Sequence, residues 1–212
     1  MSTEISSSTV RRLATYYRVL GELEGEGHVV ASSRLLAERS GVTAAQVRKD
    51  LSHFGNFGKR GLGYDTSYLA ERIRTILGLD GRWRVGLIGA GNVGSALFSY
   101  EPFRGQGFDI VAILDSDPDK VGQQWGGLTI HAMSDFAAVA RRTEVDIAVL
   151  AIPAASAQRV AEQVVAAGIR AILNFAPRRL DIPSGVAVRN VDMAAELESL
   201  SFALRAEGGA RD

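Results

Sequence analysis

The spacing of apolar residues divides the chain into a helical N-terminal part and a C-terminal part of alternating strands and helices. Up to about residue 78, apolar side chains recur at the intervals expected for amphipathic helices. From Trp83 onwards, short apolar runs without two-residue alternation are separated by glycine-containing turns and helical segments. This second pattern is typical of parallel strands buried on both faces of a sheet. We therefore expect an α/β protein with two domains, residues 1–78 and 79–191, followed by residues 192–212 as a C-terminal helix.

Four helices are predicted in the N-terminal part, and serine or threonine residues stand where their first free N–H groups need a cap. The second and third are joined by a short turn at Gly41, which is the spacing of a helix-turn-helix. The predicted helices are Ser8 to Leu23 with Val10, Leu13, Tyr17 and Leu20 on one apolar face, Arg34 to Arg39 capped by Ser32 or Ser33, Thr43 to about Phe54, and Thr66 to Leu77.

The third predicted helix and the glycine-rich segment Gly55 to Asp65 carry a local excess of positive charge. The formal net charge of the chain is zero, so this cluster, and not a global field, would attract nucleic acid. A basic glycine hairpin after a helix-turn-helix predicts a winged DNA-binding domain; a solvated helix followed by a simple connector is the alternative. The predicted DNA-binding residues are Thr43, Gln46 (suited to adenine), Arg48 (suited to guanine) and Lys49 on the helix, and Lys59 and Arg60 on the wing.

Residues 89–94 form a G-x-G-x-x-G sequence between the predicted strand WRVGLI and a predicted helix, and the next predicted strand ends at Asp115. The glycines allow a tight turn, close approach of a pyrophosphate and close helix–strand packing, while the helix N-terminus attracts the phosphates. Asp115 can accept hydrogen bonds from the adenosine ribose and would repel a 2′-phosphate, which favours NAD(H) over NADP(H). The predicted cofactor-binding residues in this region are Gly89, Ala90, Gly91, Asn92, Val93, Gly94 and Asp115.

Six predicted strands follow a linker at Gly78 to Arg82: WRVGLIG, FDIVAILD, LTIHA, VDIAVLAI, IRAILNF and VAVRNV. The last predicted helix runs from about Asp192 to Ala206 and has apolar residues on more than one side. Such a helix needs two surfaces to pack against, which indicates a homodimer, although a helix that covers only its own domain is the alternative. Its apolar stripe consists of Met193, Leu197, Leu200 and Leu204.

The amino-acid composition of the chain reduces the number of functional classes to consider. The chain has no cysteine, so it has no disulfide or thiol-based redox switch, and we expect no metal site. No apolar run approaches the length of a membrane helix, and the polar start Met1–Ser8 lacks the apolar core of a signal peptide, so the expected location is the cytoplasm.

Two other functions compete with DNA binding. A small NAD-dependent enzyme would need a proton donor near the nicotinamide, but His28 and His53 lie in the N-terminal part and His131 lies on a predicted strand as a packed side chain. A coenzyme A-binding module shares the glycine fingerprint but leaves the helix-turn-helix without a role. We therefore expect a protein that is not an enzyme.

The chain resembles the Rex family of bacterial redox-sensing transcriptional repressors over nearly its whole length. The segments that carry the resemblance are 42–65 (VTAAQVRKDLSHFGNFGKRGLGYD), 88–97 (IGAGNVGSAL), 115–122 (DSDPDKVG), 172–177 (ILNFAP) and 190–192 (NVD). The resemblance implies a winged helix-turn-helix followed by a Rossmann doubly wound parallel sheet, in a homodimer whose C-terminal helices are exchanged. It also implies binding to palindromic operator DNA and release by NADH, with NAD+ opposing NADH.

Two expectations concern the redox signal itself. The apolar segment around Ile152 and Pro153, at the end of the fourth Rossmann strand, would favour neutral NADH over the positively charged ring of NAD+. The resemblance implies that Arg18, Tyr100 and Asp192 form a switch. The carboxylate of Asp192 would pair with Arg18 in one arrangement of the dimer and accept from Tyr100 in the other. A fixed ion pair or unrelated surface groups are the alternative. Met193, which follows Asp192, stands where some family members have an aromatic residue near the nicotinamide.

Overall fold

The computed structural model describes residues 5–59 and 61–208. The contacts divide the chain into two compact units, Met1–Gly81 and Arg82–Asp212, and each is described by itself below.

The N-terminal unit is a cluster of helices around one apolar core. The first helix begins two residues earlier than expected, because Ser6, and not Ser8, caps it by accepting from the N–H of Thr9. Tyr16 is buried beside Leu13 and Leu20, whereas Val10 is 40% exposed, so the predicted apolar face was wrong at Val10. The helices are α1 (Ser7–Gly25), α2 (Ser33–Ser40, capped by Ser32), α3 (Ala44–Ser52, capped by Thr43) and α4 (Thr66–Ile76, capped by Asp65).

A small antiparallel sheet forms the base of the wing. Strand β1 (Val30–Ala31) pairs with β2 (Tyr64–Asp65), and Lys59 bridges to Gly63 within the hairpin. Gly63 has a φ of +89°, and a Cβ there would meet the carbonyl oxygen of Ala31 at 2.7 Å. The wing therefore requires glycine at this position to pack against β1. The predicted DNA-binding residue Arg60 lies outside the described residues.

The C-terminal unit is built on a seven-stranded sheet within the described residues, with the order β5-β6-β4-β3-β7-β8-β9. All the pairs are parallel except β5 with β6, and the six parallel strands follow the doubly wound Rossmann order. These six are the predicted strands, whereas the two-residue edge strand β5 was not predicted. The strands are β3 (Trp83–Ile88), β4 (Phe108–Asp115), β5 (Gln124–Trp125), β6 (Leu128–Ala132), β7 (Ile147–Leu150), β8 (Ala171–Asn174) and β9 (Ala187–Asn190).

Helices cover the two faces of this sheet unequally. One face packs its buried residues, such as Leu150 and Ile172, against Phe136 and Val160 of two helices. The opposite face of β7, β8 and β9 carries an apolar groove of about 310 Å³ lined by Phe103, Phe108 and alternating strand residues. The helices of the unit are α5 (Asn92–Phe98), α6 (Pro102–Gly105), α7 (Phe136–Arg142, after a 3-10 turn at Met133–Asp135), α8 (Ala154–Ala166) and α9 (Met193–Gly208).

The final helix, α9, has an apolar surface that is exposed. Leu197, Leu200, Phe202 and Leu204 are 60–76% exposed in the single chain. Among the described residues, no helix is both long and apolar enough to cross a membrane.

Candidate functional site

A cleft of about 500 Å³ opens at the carboxyl ends of the central strands of the C-terminal unit. Its walls come from the segments that follow β3, β4, β7 and β8. In the sheet, β3 lies between β4 and β7. After β3 the chain first adds strands on the β4 side and then returns to add strands on the β7 side, so the strand order reverses beside β3. Open α/β sheets bind ligands at such a switch point, where loops diverge and leave a crevice.

The glycine loop lies on one wall of the cleft, and each glycine has a different steric reason. Gly89 has a φ of +106°, and a Cβ there would overlap the carbonyl oxygen of Ala151. A Cβ at Gly94 would overlap the carbonyl oxygen of Gly89, so α5 could not approach β3 as closely. Gly91 has no heavy atom within 4 Å of the place where a Cβ would stand, and it caps α5. The loop therefore leaves an open approach to the free N–H groups of α5, near Asn92 and Val93.

Asp115, at the end of β4, holds two loops together. Its Oδ2 accepts from the N–H of Ala90 at 2.6 Å, and its Oδ1 accepts from the N–H of Asp117 at 2.9 Å. Burial raises the pKa of the carboxyl, but these two backbone hydrogen bonds and the neighbouring Lys120 outweigh burial and leave the pKa below its usual range. Asp115 is thus an ionised carboxylate at the cleft wall, and it also fixes the glycine loop.

The opposite wall is apolar. Ala151, Ile152 and Pro153 follow β7 and line the cleft, as do Phe175 and Pro177 after β8. Asn174, fully buried at the end of β8, donates to the carbonyl oxygens of Ala176 and Arg178 and so fixes the loop that carries Phe175. Sequence reasoning gave no role to Asn174, although an amide at the end of an apolar strand is a signal for such a loop anchor.

Lys120 and Arg159 line the cleft and were not predicted. The Nζ of Lys120 lies 3.5 Å from Oδ2 of Asp115 and 3.4 Å from Oδ2 of Asp117. Lys120 could have been suspected from its place in the loop after Asp115, whereas Arg159 comes from α8 and reaches the cleft only in the folded chain. Within the described residues, no group of His, Asp and Glu side chains is arranged to hold a metal ion.

The outward face of α3 differs from the predicted DNA-reading face. Arg48 and Lys49 are exposed on the same side as Ala45 and Ser52, and Arg48 donates to the Oγ of Ser33 at 3.0 Å. Thr43 uses its hydroxyl as the helix cap, accepting from the N–H of Gln46. The side-chain amide of Gln46 donates one of its two N–H groups to Oδ1 of Asp50 at 2.8 Å, which ties its orientation to the interior of the unit.

Asp50 is the buried centre of a polar cluster that joins α1 to α3. It is 1% exposed, and its carboxylate accepts from Arg12 at 2.6 and 2.7 Å and from the hydroxyl of Tyr16 at 2.9 Å. Burial raises the pKa of Asp50, but the hydrogen bonds from Arg12, Gln46 and Tyr16 outweigh burial, lower the pKa below its usual value and keep the carboxylate charged. Burial raises the pKa of Tyr16, which remains a neutral donor. Sequence analysis missed this cluster because Arg12 and Tyr16 stand 38 and 34 residues before Asp50.

A second cavity of about 660 Å³ lies between the start of α2, α3 and the wing. Ser33, Arg48, Lys59 and the exposed Leu62 line it. Lys59 is exposed, so two of the predicted basic residues, Arg48 and Lys59, face the same cavity.

The predicted switch residues occupy separate positions in the two units. Arg18 is an exposed residue of α1 beside Glu71 and Arg74 of α4. Tyr100 is 53% exposed, and its ring packs edge-on against Phe103 with centroids 5.0 Å apart. Oδ1 of Asp192 accepts from the N–H groups of Ala194 and Ala195, so this carboxylate caps α9. A switch role for these residues stays a prediction.

Known proteins match both parts of the chain. Residues 4–52 match a family model described as "Putative DNA-binding protein N-terminus", and residues 80–178 match one described as "CoA binding domain". The redox-sensing transcriptional repressor Rex of Chloroflexus aurantiacus is 48% identical over 198 residues, which cover 93% of each chain. A crystal structure of RSP with β-NAD+ and operator DNA has a TM-score of 0.91 at 37% identity and covers 99% of this chain and 96% of that chain. A structure of RSP with β-NADH has a TM-score of 0.90 at 36% identity, covering 99% and 98%.

The winged helical unit and the Rossmann unit together define a two-domain transcription regulator with a dinucleotide-type cleft. With the relatives above, the class can be narrowed: the chain belongs to the Rex family of redox-sensing transcriptional repressors. The relatives are repressors and not enzymes, which excludes the dehydrogenase considered from the sequence.

Proposed function

We propose that this protein represses transcription by binding palindromic operator DNA through its N-terminal unit, and that NADH bound in the C-terminal cleft releases it. The observation that carries the proposal is the cleft itself, in which the open Gly91 loop and the ionised Asp115 face an apolar wall at the sheet's switch point. The RSP complexes with β-NAD+, β-NADH and operator DNA support the same assignment for this chain. A chromosomal operator would place the protein in the cytoplasm.

The cleft suits a dinucleotide whose two ends need different surroundings. Pyrophosphate oxygens would accept from the N–H groups at the start of α5, near Asn92 and Val93, and the adenosine ribose would meet Asp115. The nicotinamide would then lie towards Ala151, Ile152 and Phe175. Among the described residues, Asp115 is the only acid that lines the cleft, so no second carboxylate would compensate the positive ring of NAD+. Because burying an uncompensated charge is costly, this end favours neutral NADH.

Differential affinity is what allows the ligand to act on DNA. A ligand that bound the DNA-competent and released conformations equally would not change their populations. We propose that NADH stabilises the released arrangement, and that Arg18, Tyr100 and Asp192 exchange partners between the two arrangements.

A homodimer accounts for the surfaces that the single chain leaves uncovered. Helix α9 exposes leucines and Phe202, and an open apolar groove lined by Phe103 and Phe108 lies on one face of the sheet. Exchange of α9 between two subunits would bury apolar area on both, and a two-fold dimer matches a palindromic site. Removal of residues 192–212 should give monomers in light scattering and abolish operator binding. A truncated protein that still dimerises would contradict the exchange.

The deciding experiment is a gel-shift series on a palindromic operator selected by this protein from a randomised library. The series is repeated with NAD+, NADH, NADPH and coenzyme A, the last because residues 80–178 match a coenzyme A-binding model. We expect retention with NAD+ and release at the lowest concentration with NADH. Release by coenzyme A alone would replace the proposed ligand, and failure to select any operator would refute the repressor function.

A further inference from the structure

Lys120 is a charged residue of the cleft that the proposed function leaves without a task. It lies in the loop after β4, and its side chain is 35% exposed, so it can reach both the cleft and solvent. The N–H of Lys120 donates to the carbonyl oxygen of Asp117 at 3.1 Å, which fixes the backbone of the turn. The ammonium group lies beside two carboxylates, those of Asp115 and Asp117.

The two carboxylates hold Lys120 from different sides of the turn. Asp115 lies at the cleft wall and is largely buried, whereas Asp117 is 42% exposed. Oδ1 of Asp117 accepts from the N–H of Asp119 at 3.0 Å, and its Oδ2 faces the ammonium at 3.4 Å. Nearby negative charge, first that of Asp115 and also that of Asp117, raises the pKa of Lys120, so the ammonium stays charged.

The ribose of the proposed dinucleotide would lie beside Asp115 and Lys120. A ribose hydroxyl that donates to Oδ2 of Asp115 would lie roughly 2.7 Å from that oxygen. The ammonium of Lys120 lies 3.5 Å from the same oxygen. A 2′-phosphate in place of the hydroxyl would thus meet Lys120 as well as Asp115. In dinucleotide-binding folds, a cation near this point is what accommodates the 2′-phosphate of NADP.

We propose that Asp117 is a positioning residue for cofactor specificity: together with Asp115 it keeps Lys120 paired, so that a 2′-phosphate finds no uncompensated cation. The inference rests on the proposed binding of NAD(H). In this arrangement Asp115 is not the only barrier to NADP(H). The turn contains a cation, Lys120, that could bind the phosphate, and Asp117 keeps this cation paired.

The test measures dissociation constants for NADH and NADPH by isothermal titration calorimetry on the full-length chain. Asp117→Asn keeps the Oδ1 acceptor for Asp119 but removes the charge beside Lys120. We expect NADPH to bind about fivefold more tightly, with little change for NADH, the size expected when a partly exposed ion pair is released. The matched control is Asp119→Asn, which removes the same charge from an exposed neighbour in the same turn.

A second variant shows whether the gain acts through Lys120. In the double variant Asp117→Asn/Lys120→Met, we expect the gain in NADPH affinity to disappear. A gain that persists in the double variant, or an equal gain in Asp119→Asn, would overturn the inference, because either would reflect net charge alone. Unchanged NADH/NADPH discrimination in Asp117→Asn, with tight NADH binding by the wild type, would overturn the inference and leave the proposed function intact. A wild-type chain that binds neither nucleotide would overturn both.

Discussion

Asp50 illustrates how one buried carboxylate limits what its neighbours can do. Because it accepts hydrogen bonds from the amide of Gln46 and the guanidinium of Arg12, one of the two N–H groups on Nε2 of Gln46 is used within the protein. Bidentate recognition of adenine would need the other N–H and the carbonyl oxygen of the same amide, whereas Ala45, Arg48 and Lys49 are exposed on the outward face of α3.

The Asp50 cluster should make the N-terminal unit sensitive to acid. A carboxyl whose pKa is lowered by folding contributes stability above its unfolded pKa, and this contribution is lost as pH falls below about 4. Asp50→Asn should cost about 3 kcal/mol at neutral pH, because it leaves Arg12 without its partner, and should flatten the loss of stability below about pH 4. Urea unfolding at several pH values measures both effects. The exposed Asp80→Asn is the control, and equal pH profiles in the two variants would refute the role of Asp50.

Asp115→Ala should have two effects, because Asp115 serves both the ribose and the glycine loop. Loss of the acceptor for the N–H of Ala90 should loosen the loop and weaken NADH binding by about tenfold or more. Loss of negative charge should also reduce discrimination against NADPH. Isothermal titration with both nucleotides measures this. An unchanged preference for NADH would refute the assignment of Asp115.

At the scale of single residues, the sequence predicted the structural roles that depend on local geometry. It did not reveal the roles that depend on partners far away along the chain. The glycines of the fingerprint were placed correctly because steric demands within one turn dictate them. DNA binding by Gln46 stays a prediction, but its hydrogen bond to Asp50 was not foreseen, because Asp50 is buried where α1 packs over it. The spacing of polar and apolar residues within α3 does not indicate that contact.

At the scale of elements, the wing offers a direct test of DNA binding. Lys59→Ala with Arg60→Ala should lower operator affinity and flatten its salt dependence, because fewer counterions would be released from the phosphates, while NADH binding should be unaffected. The matched control, Arg141→Ala with Arg142→Ala, removes the same charge from α7 and should leave the salt slope unchanged. Gel shifts at several salt concentrations measure this. Equal operator affinity in the wing variant and the wild type would exclude a wing contact.

Helix boundaries could be predicted from the sequence where only one residue able to cap the helix stood at its start. Thr43 caps α3 as predicted, and Gly41 ends α2 in the left-handed conformation with a φ of +67°. At α1 several serines stand in a row, so sequence could not choose between Ser6 and Ser8. The edge strand β5 was missed because two residues are too few to show a strand pattern, and its pairing with β6 appears only in the folded sheet.

At the scale of the whole molecule, Asp192 tests whether ligand and DNA are coupled through the proposed switch. Asp192→Ala should leave the glycine loop intact, so NADH should still bind, but it should uncouple this binding from operator release. Because Asp192 also caps α9, the variant could loosen that helix at a cost of about 1 kcal/mol. Asp192→Asn retains a capping side chain and separates the two effects. Wild-type release by NADH in both variants would refute the switch.

The exposed face of α9 has a consequence for how the protein responds to its own abundance. A 16-residue helix with exposed leucines gains little stability from its own hydrogen bonds and depends on a surface to pack against. If that surface belongs to a second subunit, folding of α9 and association are one equilibrium, and mass action governs both. The melting temperature should then rise with protein concentration. At low copy number, part of the population would be unassembled before any change in redox state, so gene dosage would set the threshold of repression together with NADH.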